Sequence, residues 1–155
     1  MTYIPSSQGV RSAALGLAVE RATAALPAST TADIFTVDGG RVLLVGLIGE
    51  VTTAIQAQAC NLSVVYDPDG TGLNTTLAST LDVNADAAGS YYVLNGTAGG
   101  ALVQSTNPFA AVFPAPRWVL GPGDIALTTS ATNTGSVKWT ALYVPLDDGA
   151  TLTAV

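Results

Sequence analysis

Apolar and polar residues alternate with a period of two through much of the chain, which predicts β-strands. The pattern is clearest over residues 136–143. Its apolar positions, which share one face, are Val137, Trp139, Ala141 and Tyr143. Lys138 and Thr140 lie on the opposite face. From these alternating neighbours we expect Trp139 to belong to the hydrophobic core.

A turn between two apolar runs predicts a hairpin in the first third of the chain. Residues 34–37 are β-branched or aromatic, residues 38–40 are Asp-Gly-Gly, and residues 41–45 form the next apolar run. A strand, a glycine turn and a second strand in succession are typical of a hairpin.

The second run of this pair continues without a polar residue. Residues 42–48 are apolar apart from Gly46, which predicts a strand covered on both faces. Gly46 and Gly49 predict a bend or a bulge there, since glycine inside a strand often marks such a site.

The apolar face changes within residues 51–66. The alternating apolar positions are odd at first and even later, so the parity switches near Cys60. They are Ile55, Ala57 and Ala59, and then Leu62, Val64 and Tyr66. The stretch is one long strand with a bulge or two shorter strands with a break. Further strands are predicted at residues 77–83, 91–94, 118–120 and 125–131. Residues 98–116 contain several Gly and Pro residues and are predicted to form a loop.

The two ends of the chain are less regular. Residues 1–12 show no periodicity and are predicted to form an N-terminal arm. Residues 13–26 fit a short helix or a strand over residues 17–25, and we favour the strand because Gly16 interrupts the helical pattern. Residues 151–155 are predicted to be a C-terminal tail.

Many short strands separated by turns predict an all-β fold. We expect residues 13–150 to form a single β-sandwich, or a jelly-roll or barrel-like domain, with an extended N-terminal arm.

Charge is scarce in this chain. Of its 155 residues, 48% are hydrophobic and 10% are charged, and the net charge is −6. This composition predicts that a partner covers part of the surface, or that Thr, Ser, Asn and Gln keep the protein soluble.

The five cations are spread along the sequence: Arg11, Arg21, Arg41, Arg117 and Lys138. Since binding to nucleic acid needs clustered cations, we expect no direct nucleic-acid partner. No apolar run is long enough to predict a membrane helix.

Common catalytic chemistry has few residues to use here. The chain has no histidine and one cysteine, Cys60, which excludes Ser–His–Asp and Cys–His catalysis and an internal disulfide. No phosphate-binding or dinucleotide-binding glycine motif is present. We expect no enzymatic activity, no cofactor and no metal. The lone cysteine and the lack of a secretory signal in residues 1–5 fit synthesis in a reducing cytoplasm.

Two segments resemble the start of a calcium-binding loop without completing it. The first, Asp67-x-Asp69-x-Thr71-Gly72, has Ala78 at the twelfth position, where such a loop needs a bidentate Glu. The second, Asp82-x-Asn84-x-Asp86, has Val93 at that position. We interpret both as turns, because Asp, Asn, Pro and Gly are also the ordinary turn residues.

We expect each of the remaining aromatic side chains either to pack in the core or to contact a ligand or a partner protein. Tyr91 and Tyr92 must point to opposite faces of a strand, so we expect at most one of them in the core. Trp118 follows a Pro-rich segment, and its pattern leaves core packing and an exposed role equally open. Exposed aromatic residues would stack on sugars or anchor an interface.

Two segments resemble stretches of small virion proteins of tailed bacteriophages. They are residues 30–55 (TTADIFTVDGGRVLLVGLIGEVTTAI) and residues 135–150 (GSVKWTALYVPLDDGA). The resemblance implies a capsid decoration protein on the outer surface of the major capsid shell, made in the host cytoplasm. It also implies a homo-oligomer, with a trimer favoured and an N-terminal arm that reaches a neighbour. It transfers no site residues.

Two other functions stay open at this stage. A tail or head–tail component belongs to the same broad class of virion proteins. A carbohydrate- or receptor-binding module would instead use exposed aromatic residues and the Asp-rich turns. A carboxylate-based hydrolase is disfavoured, because nothing in the sequence assembles a site for it.

Overall fold

The computed structural model describes residues 6–70, 72–106, 110–114 and 117–155. These residues form α1 (Ser7–Leu15), β1 (Leu17–Ala25), β2 (Thr31–Asp38), β3 (Val42–Thr53), β4 (Asn61–Pro68), β5 (Thr75–Asp82), β6 (Tyr91–Val93), β7 (Val103–Ser105), β8 (Trp118–Leu120), β9 (Gly123–Thr129), β10 (Ser136–Pro145) and β11 (Thr151–Ala154). Within the described ranges, no helix is both long enough and apolar enough to cross a membrane.

The strands form two antiparallel sheets that pack together as an all-β sandwich, which confirms the predicted fold class. The six-stranded sheet has the order β1-β10-β3-β6-β7, and β8 pairs with a separate part of β3. The five-stranded sheet has the order β11-β2-β9-β4-β5. Strands from the two ends of the chain therefore lie beside strands from its middle.

The hydrophobic core lies between the two sheets. Its largest fully buried side chains include Trp139, Tyr92 and Phe35. The face predicted for residues 136–143 is confirmed, because its four apolar side chains are all buried. Alternation along β10 therefore identified one wall of the core correctly.

Close packing at the centre of the six-stranded sheet requires a glycine in β3. Gly49 lies opposite Trp139 across the β3–β10 pair. A Cβ atom on Gly49 would lie 2.8 Å from the indole ring, closer than real Cβ atoms approach. Gly49 therefore provides the space that the Trp139 ring fills.

β3 also contains a bulge where the sequence predicts one. Leu44 pairs with Tyr143 and Gly46 pairs with Leu142, so Val45 is an extra residue in β3. The prediction that both faces of this strand are covered is only half right. The inner face is buried, whereas the outer side chains are half-buried in the described part of the chain.

The predicted hairpin around residues 38–40 is wrong. β2 pairs with β9 and β11, whereas β3 pairs with β10, β6 and β8, so the turn carries the chain from one sheet to the other. Gly39 and Gly40 both have positive φ, at 72° and 149°. Glycine turns indicate that the chain reverses, but they do not indicate which sheet receives the next strand.

The stretch at residues 51–66 is two strands with a break. β3 ends at Thr53 and β4 begins at Asn61, so the change of apolar face near Cys60 marks a connection between the two sheets. The prediction that residues 98–116 form a loop throughout is wrong. They contain β7 (Val103–Ser105), which pairs with β6. β7 has a single apolar residue, so neither alternation nor an apolar run marks it as a strand.

Both chain ends differ from the prediction where the structure describes them. Residues 1–5 of the predicted arm lie outside the described residues, and residues 7–12 belong to α1 rather than to an extended segment. Ser6 caps α1 by accepting a hydrogen bond from the Gly9 amide at 3.1 Å. After Gly16, β1 (Leu17–Ala25) confirms the strand that we favoured over a helix.

The predicted C-terminal tail is wrong, because residues 151–154 form β11 at the edge of the five-stranded sheet. Leu152 pairs with Val37 and is only 2% exposed. A strand of four residues with one buried side chain shows too little alternation to be recognised from sequence.

An ion pair joins the β2–β3 turn to the segment between β10 and β11. The Arg41 guanidinium donates to both Asp147 carboxylate oxygens, at 2.9 and 2.7 Å, and the Arg41 amide donates to Oδ2 at 2.8 Å. These hydrogen bonds from Arg41 lower the pKa of Asp147 to about 2.

The buried position of Leu152 is testable. Leu152→Ala should lower the free energy of unfolding by about 2–5 kcal/mol, because it removes a core side chain and leaves a cavity. Thr153→Ala, the exposed neighbour on the same strand, should change it by less than about 0.5 kcal/mol. Urea unfolding monitored by tryptophan fluorescence measures both. Equal, negligible effects would show that residues 151–155 are a tail.

The Arg41–Asp147 pair predicts a pH-dependent difference in stability. Asp147→Asn should lower the melting temperature at pH 7, because the pKa of the carboxyl group is lower in the folded protein than its ordinary value of 3.8. The stabilisation should decline below pH 3.8 and disappear below about pH 2. Asp148→Asn, at an exposed neighbour, is the control. A difference between wild type and Asp147→Asn that does not change between pH 7 and pH 2 would contradict this account.

Candidate functional site

The outer face of the five-stranded sheet is polar and acidic. Thr36, Asp124 and Asp67 lie side by side across β2, β9 and β4. The Thr36 hydroxyl donates to Asp124 Oδ1 at 2.6 Å. In another row of the same face, the Thr31 and Thr128 hydroxyls form a hydrogen bond of 2.7 Å. Hydroxyls and carboxylates thus predominate on this side of the sandwich, with Val65 and Ala126 between the two polar rows.

The acidic character of this face affects the titration of one of its carboxyl groups. The pKa of Asp33 is raised, mainly by partial burial and further by the negative charges of Asp124 and Asp67. None of these three carboxylates forms an ion pair in the described part of the chain. The face therefore carries uncompensated negative charge near neutral pH.

The outer face of the six-stranded sheet has the opposite character. Val144, Leu43 and Val119 lie side by side across β10, β3 and β8. Their sequence neighbours Tyr143, Val42 and Leu120 are buried, so these three side chains point outward. Val119 is 60% exposed and Val144 is 38% exposed. An exposed row of aliphatic side chains on a regular strand is a typical contact surface.

Two neighbouring segments extend this row. Leu142 lies outward on β10 opposite Gly46, and a Cβ atom on Gly46 would collide with the Phe113 ring, so the ring lies directly over β3. Leu15 at the end of α1 lines a groove of about 380 Å³ together with Leu17, Ala18 and Leu142. We call the set Leu15, Leu43, Phe113, Val119, Leu142 and Val144 the apolar face.

One ion pair on this side of the sheet lies away from the apolar face, whereas Arg11 of α1 lines the groove beside Leu15 and Leu142. The Lys138 ammonium group lies 3.0 Å from Glu20 Oε2. Lys138 is opposite Glu50 in the β10–β3 register, near the other end of the sheet from Val119. The two sheets therefore present one nearly neutral apolar face and one acidic polar face.

The structure separates the residues of the two calcium-like segments. Asp67 and Asp69 are exposed, and the Asp69 amide donates to the Pro122 carbonyl at 3.1 Å, which holds the turn after β4. Thr71 lies outside the described residues. In the second segment Asp82 is exposed, whereas Asp86 is buried. Among described residues, no three His, Cys, Asp or Glu side chains come together to hold a metal ion.

Asp86 is instead the centre of a buried hydrogen-bond network. Its carboxylate accepts from the Tyr92 hydroxyl at 2.6 Å and from the Gln104 amide nitrogen at 2.7 Å. Its backbone carbonyl accepts from the Ile55 amide at 2.8 Å. Burial and the hydrogen bond to Asp86 raise the pKa of Tyr92. The network ties the loop before β6 to β6, to β7 and to the end of the β3 segment, which is a structural role.

The aromatic residues divide as the pattern allowed. Trp139 and Tyr92 are buried, and Tyr91 is half-buried on the other face of β6, which confirms that at most one of the two tyrosines is core. Trp118 is half-buried and packs against the core. Of these four aromatic side chains, Trp118 and Tyr91 therefore keep some contact with solvent.

Sequence reasoning missed the apolar face. Its members come from α1, three strands and the segment before β8, and they adjoin only because β10 and β8 both pair with β3. The one available signal was the run at residues 42–48, which is apolar on both faces. That signal was attributed to a buried strand.

Comparisons with known proteins identify no relative of this chain. No protein-family profile, no curated protein and no solved structure matches it.

Loss of the Asp86 carboxylate should weaken the fold. Asp86→Ala leaves the buried Tyr92 hydroxyl and the Gln104 amide without this acceptor, which should cost about 1–3 kcal/mol for each group left unpaired. Asp82→Ala removes an exposed carboxylate that accepts a hydrogen bond from the Asn84 amide, and should cost less than about 1 kcal/mol. Chemical denaturation of both variants measures the difference. Equal effects would contradict the central position of Asp86.

Proposed function

We propose that this chain is a virion structural protein, a capsid decoration protein that binds the outer surface of the major capsid shell. The observation that carries the proposal is the division of its surface. One outer face of the sandwich is apolar and nearly neutral, and the other is acidic and rich in threonine. A protein that covers a larger particle needs one face for the particle and one for solvent.

The apolar face is the surface that contacts the particle in this proposal. Exposed aliphatic side chains in register across three strands form a firm, flat patch, and burial of such a patch stabilises a protein–protein contact. The acidic face then points to solvent, where its carboxylates stay hydrated. Low overall charge fits this arrangement, because the buried face contributes little to solubility.

The resemblance to small virion proteins of tailed bacteriophages is the second support. It rests on residues 30–55 and 135–150, which include β2, β3 and β10. β3 and β10 also carry three members of the apolar face: Leu43, Leu142 and Val144. The segments that carry the resemblance thus include part of the proposed contact surface.

A tail or head–tail component would use the same kind of surface at another place on the particle. A carbohydrate-binding module has less support, because Trp139 and Tyr92 are buried and cannot stack on a sugar. We therefore keep the capsid shell as the proposed partner, and we propose no catalytic activity, no cofactor and no direct contact with nucleic acid.

Binding to the particle is the direct test of the proposal. Purified chain is mixed with tailless heads of the phage that encodes it, after the heads have been stripped of this protein, and the mixture is sedimented. Val119→Asp combined with Val144→Asp should weaken binding at least about tenfold, because it places two charges in the contact. Val155→Asp is the matched control, since Val155 is 61% exposed and lies outside the apolar face.

Each outcome of this experiment decides between the functions. Binding that is lost in the double variant and kept in Val155→Asp supports the decoration protein. Binding to isolated tails but not to heads would move the chain to the tail. No binding to either, or equal binding by all three proteins, would contradict the proposal.

A further inference from the structure

The outer edge of β1 is a long strand edge without a backbone partner. β1 has nine residues, pairs with β10 on one side, and has no strand on its other side in the described part of the chain. Its residues are half-buried or exposed throughout. Unpaired amide and carbonyl groups along such an edge are a template for another strand.

The other four sheet edges in the described residues are short or covered, and β8, which pairs only with β3, has three residues. β5 is covered in part, because the Ser79 amide donates to the Gly100 carbonyl at 3.1 Å and Ser79 pairs with Ala101 in a parallel bridge. β7 has three residues, and the Ser105 hydroxyl donates to the Ala110 carbonyl of the segment beside it. β11 has four residues. β1 is therefore the exception among the edges of this sandwich.

The features that normally protect an edge are weak in β1. It contains neither lysine nor proline. Its two charged side chains are engaged elsewhere: Glu20 pairs with Lys138 of β10, and the Arg21 Nε donates to the Val155 carbonyl at 2.9 Å. A shift in register between Arg21 and Ala24 disturbs the second half of the strand. The first half, residues 17–21, pairs regularly with β10.

A small cavity opens beside the second half of β1. It has a volume of about 60 Å³, and it lies between Ala24 of β1 and the core residues Ile34, Leu127 and Trp139. β11 ends beside this site, where the Val155 amide donates to the Ile34 carbonyl at 3.2 Å and the Val155 carbonyl accepts from Arg21 Nε, but Val155 does not line the cavity. The cavity is suited to a small aliphatic group presented by a strand that lies along β1.

We propose that the outer edge of β1 pairs antiparallel with β1 of a second copy of this chain. In an antiparallel pair, Leu17 of each copy lies near the C-terminal end of the other copy's β1. The cavity opens at that end. Leu17 is 42% exposed in the single chain, although it also lines the groove beside Leu15. Alanines make up much of the strand, so the two copies can approach without a steric clash.

The symmetry of this pair determines where the apolar faces lie. Residues opposite each other in an antiparallel pair project from the same face of the sheet. Two copies joined through β1 by a two-fold axis therefore form one continuous sheet, with both apolar faces on the same side. The pairing does not rest on the proposed function, but it would double the surface offered to a particle.

Sedimentation velocity of the full chain over a series of concentrations tests the pairing. We expect a species of twice the 15.6 kDa chain mass. Thr23→Lys places a charge on the exposed edge and should weaken association at least about tenfold. Thr80→Lys makes the same change on β5, at an exposed position across the sandwich, and should leave association unchanged.

A second variant and a second readout guard against a misfolded protein. Ala22→Pro lies where no β10 residue is opposite in the register, so it should leave the β1–β10 pairing in place and still block the outer edge. Thermal unfolding verifies that each variant is folded. Within residues 17–21, exchange of the amide hydrogens that point away from β10 should be slower in the wild-type dimer than in the dilute monomer.

The possible results separate this pairing from the proposed function. A monomer at all concentrations, a dimer that survives Thr23→Lys and Ala22→Pro, or unprotected amides at residues 17–21 would each overturn the pairing. A trimer, which the resemblance implies, would also overturn it, because a two-fold contact closes at two copies. A monomeric chain that still binds heads would leave the decoration function intact without the pairing.

Discussion

The packing of Trp139 against Gly49 is the contact on which the rest of the structure depends. β10 pairs with β3 and with β1, so it joins the middle of the chain to its beginning. The indole ring fills the inner side of this three-stranded unit, and a side chain at position 49 would prevent it from lying there. Loss of a buried tryptophan typically costs about 3–5 kcal/mol. The six-stranded sheet is built outward from this contact.

The strands that pair with β3 determine which side chains lie on its outer side. β3 is paired by β10 along one edge and by β8 and β6 along the other, and these neighbours bring Val144 and Val119 to either side of Leu43. The same register places Phe113 over Gly46. The apolar face is thus a consequence of strand order, and the acidic face on the opposite sheet follows from the pairing of β9 with β2 and β4.

Local patterns predicted the strands well and their partners poorly. Alternation identified the inner face of β10, and the glycines of β3 indicated its bulge, because both depend on neighbouring residues. The turn at residues 38–40 was taken for a hairpin, since glycine chemistry is the same whether the chain returns in its own sheet or crosses to the other. β7 and β11 were missed because they are short and largely polar, whereas the equally short β6 and β8 consist of aromatic and aliphatic residues.

The candidate site shows the same limit. The Asp-rich segments were visible in the sequence, yet Asp86 turned inward to Tyr92 and Gln104 while Asp82 stayed exposed. The apolar face was not visible, because Leu15, Leu43, Val119 and Val144 are far apart along the chain. Only the order of strands brings them together, and that order depends on contacts that no local pattern records.

Cryo-electron microscopy of the particle from which the chain is recovered tests the central claim most directly. The account predicts ordered density on the outer capsid lattice, with the six-stranded sheet toward the shell and the acidic face toward solvent. Density in which the acidic face contacts the shell, or particles that carry no copy of this chain on their surface, would contradict it.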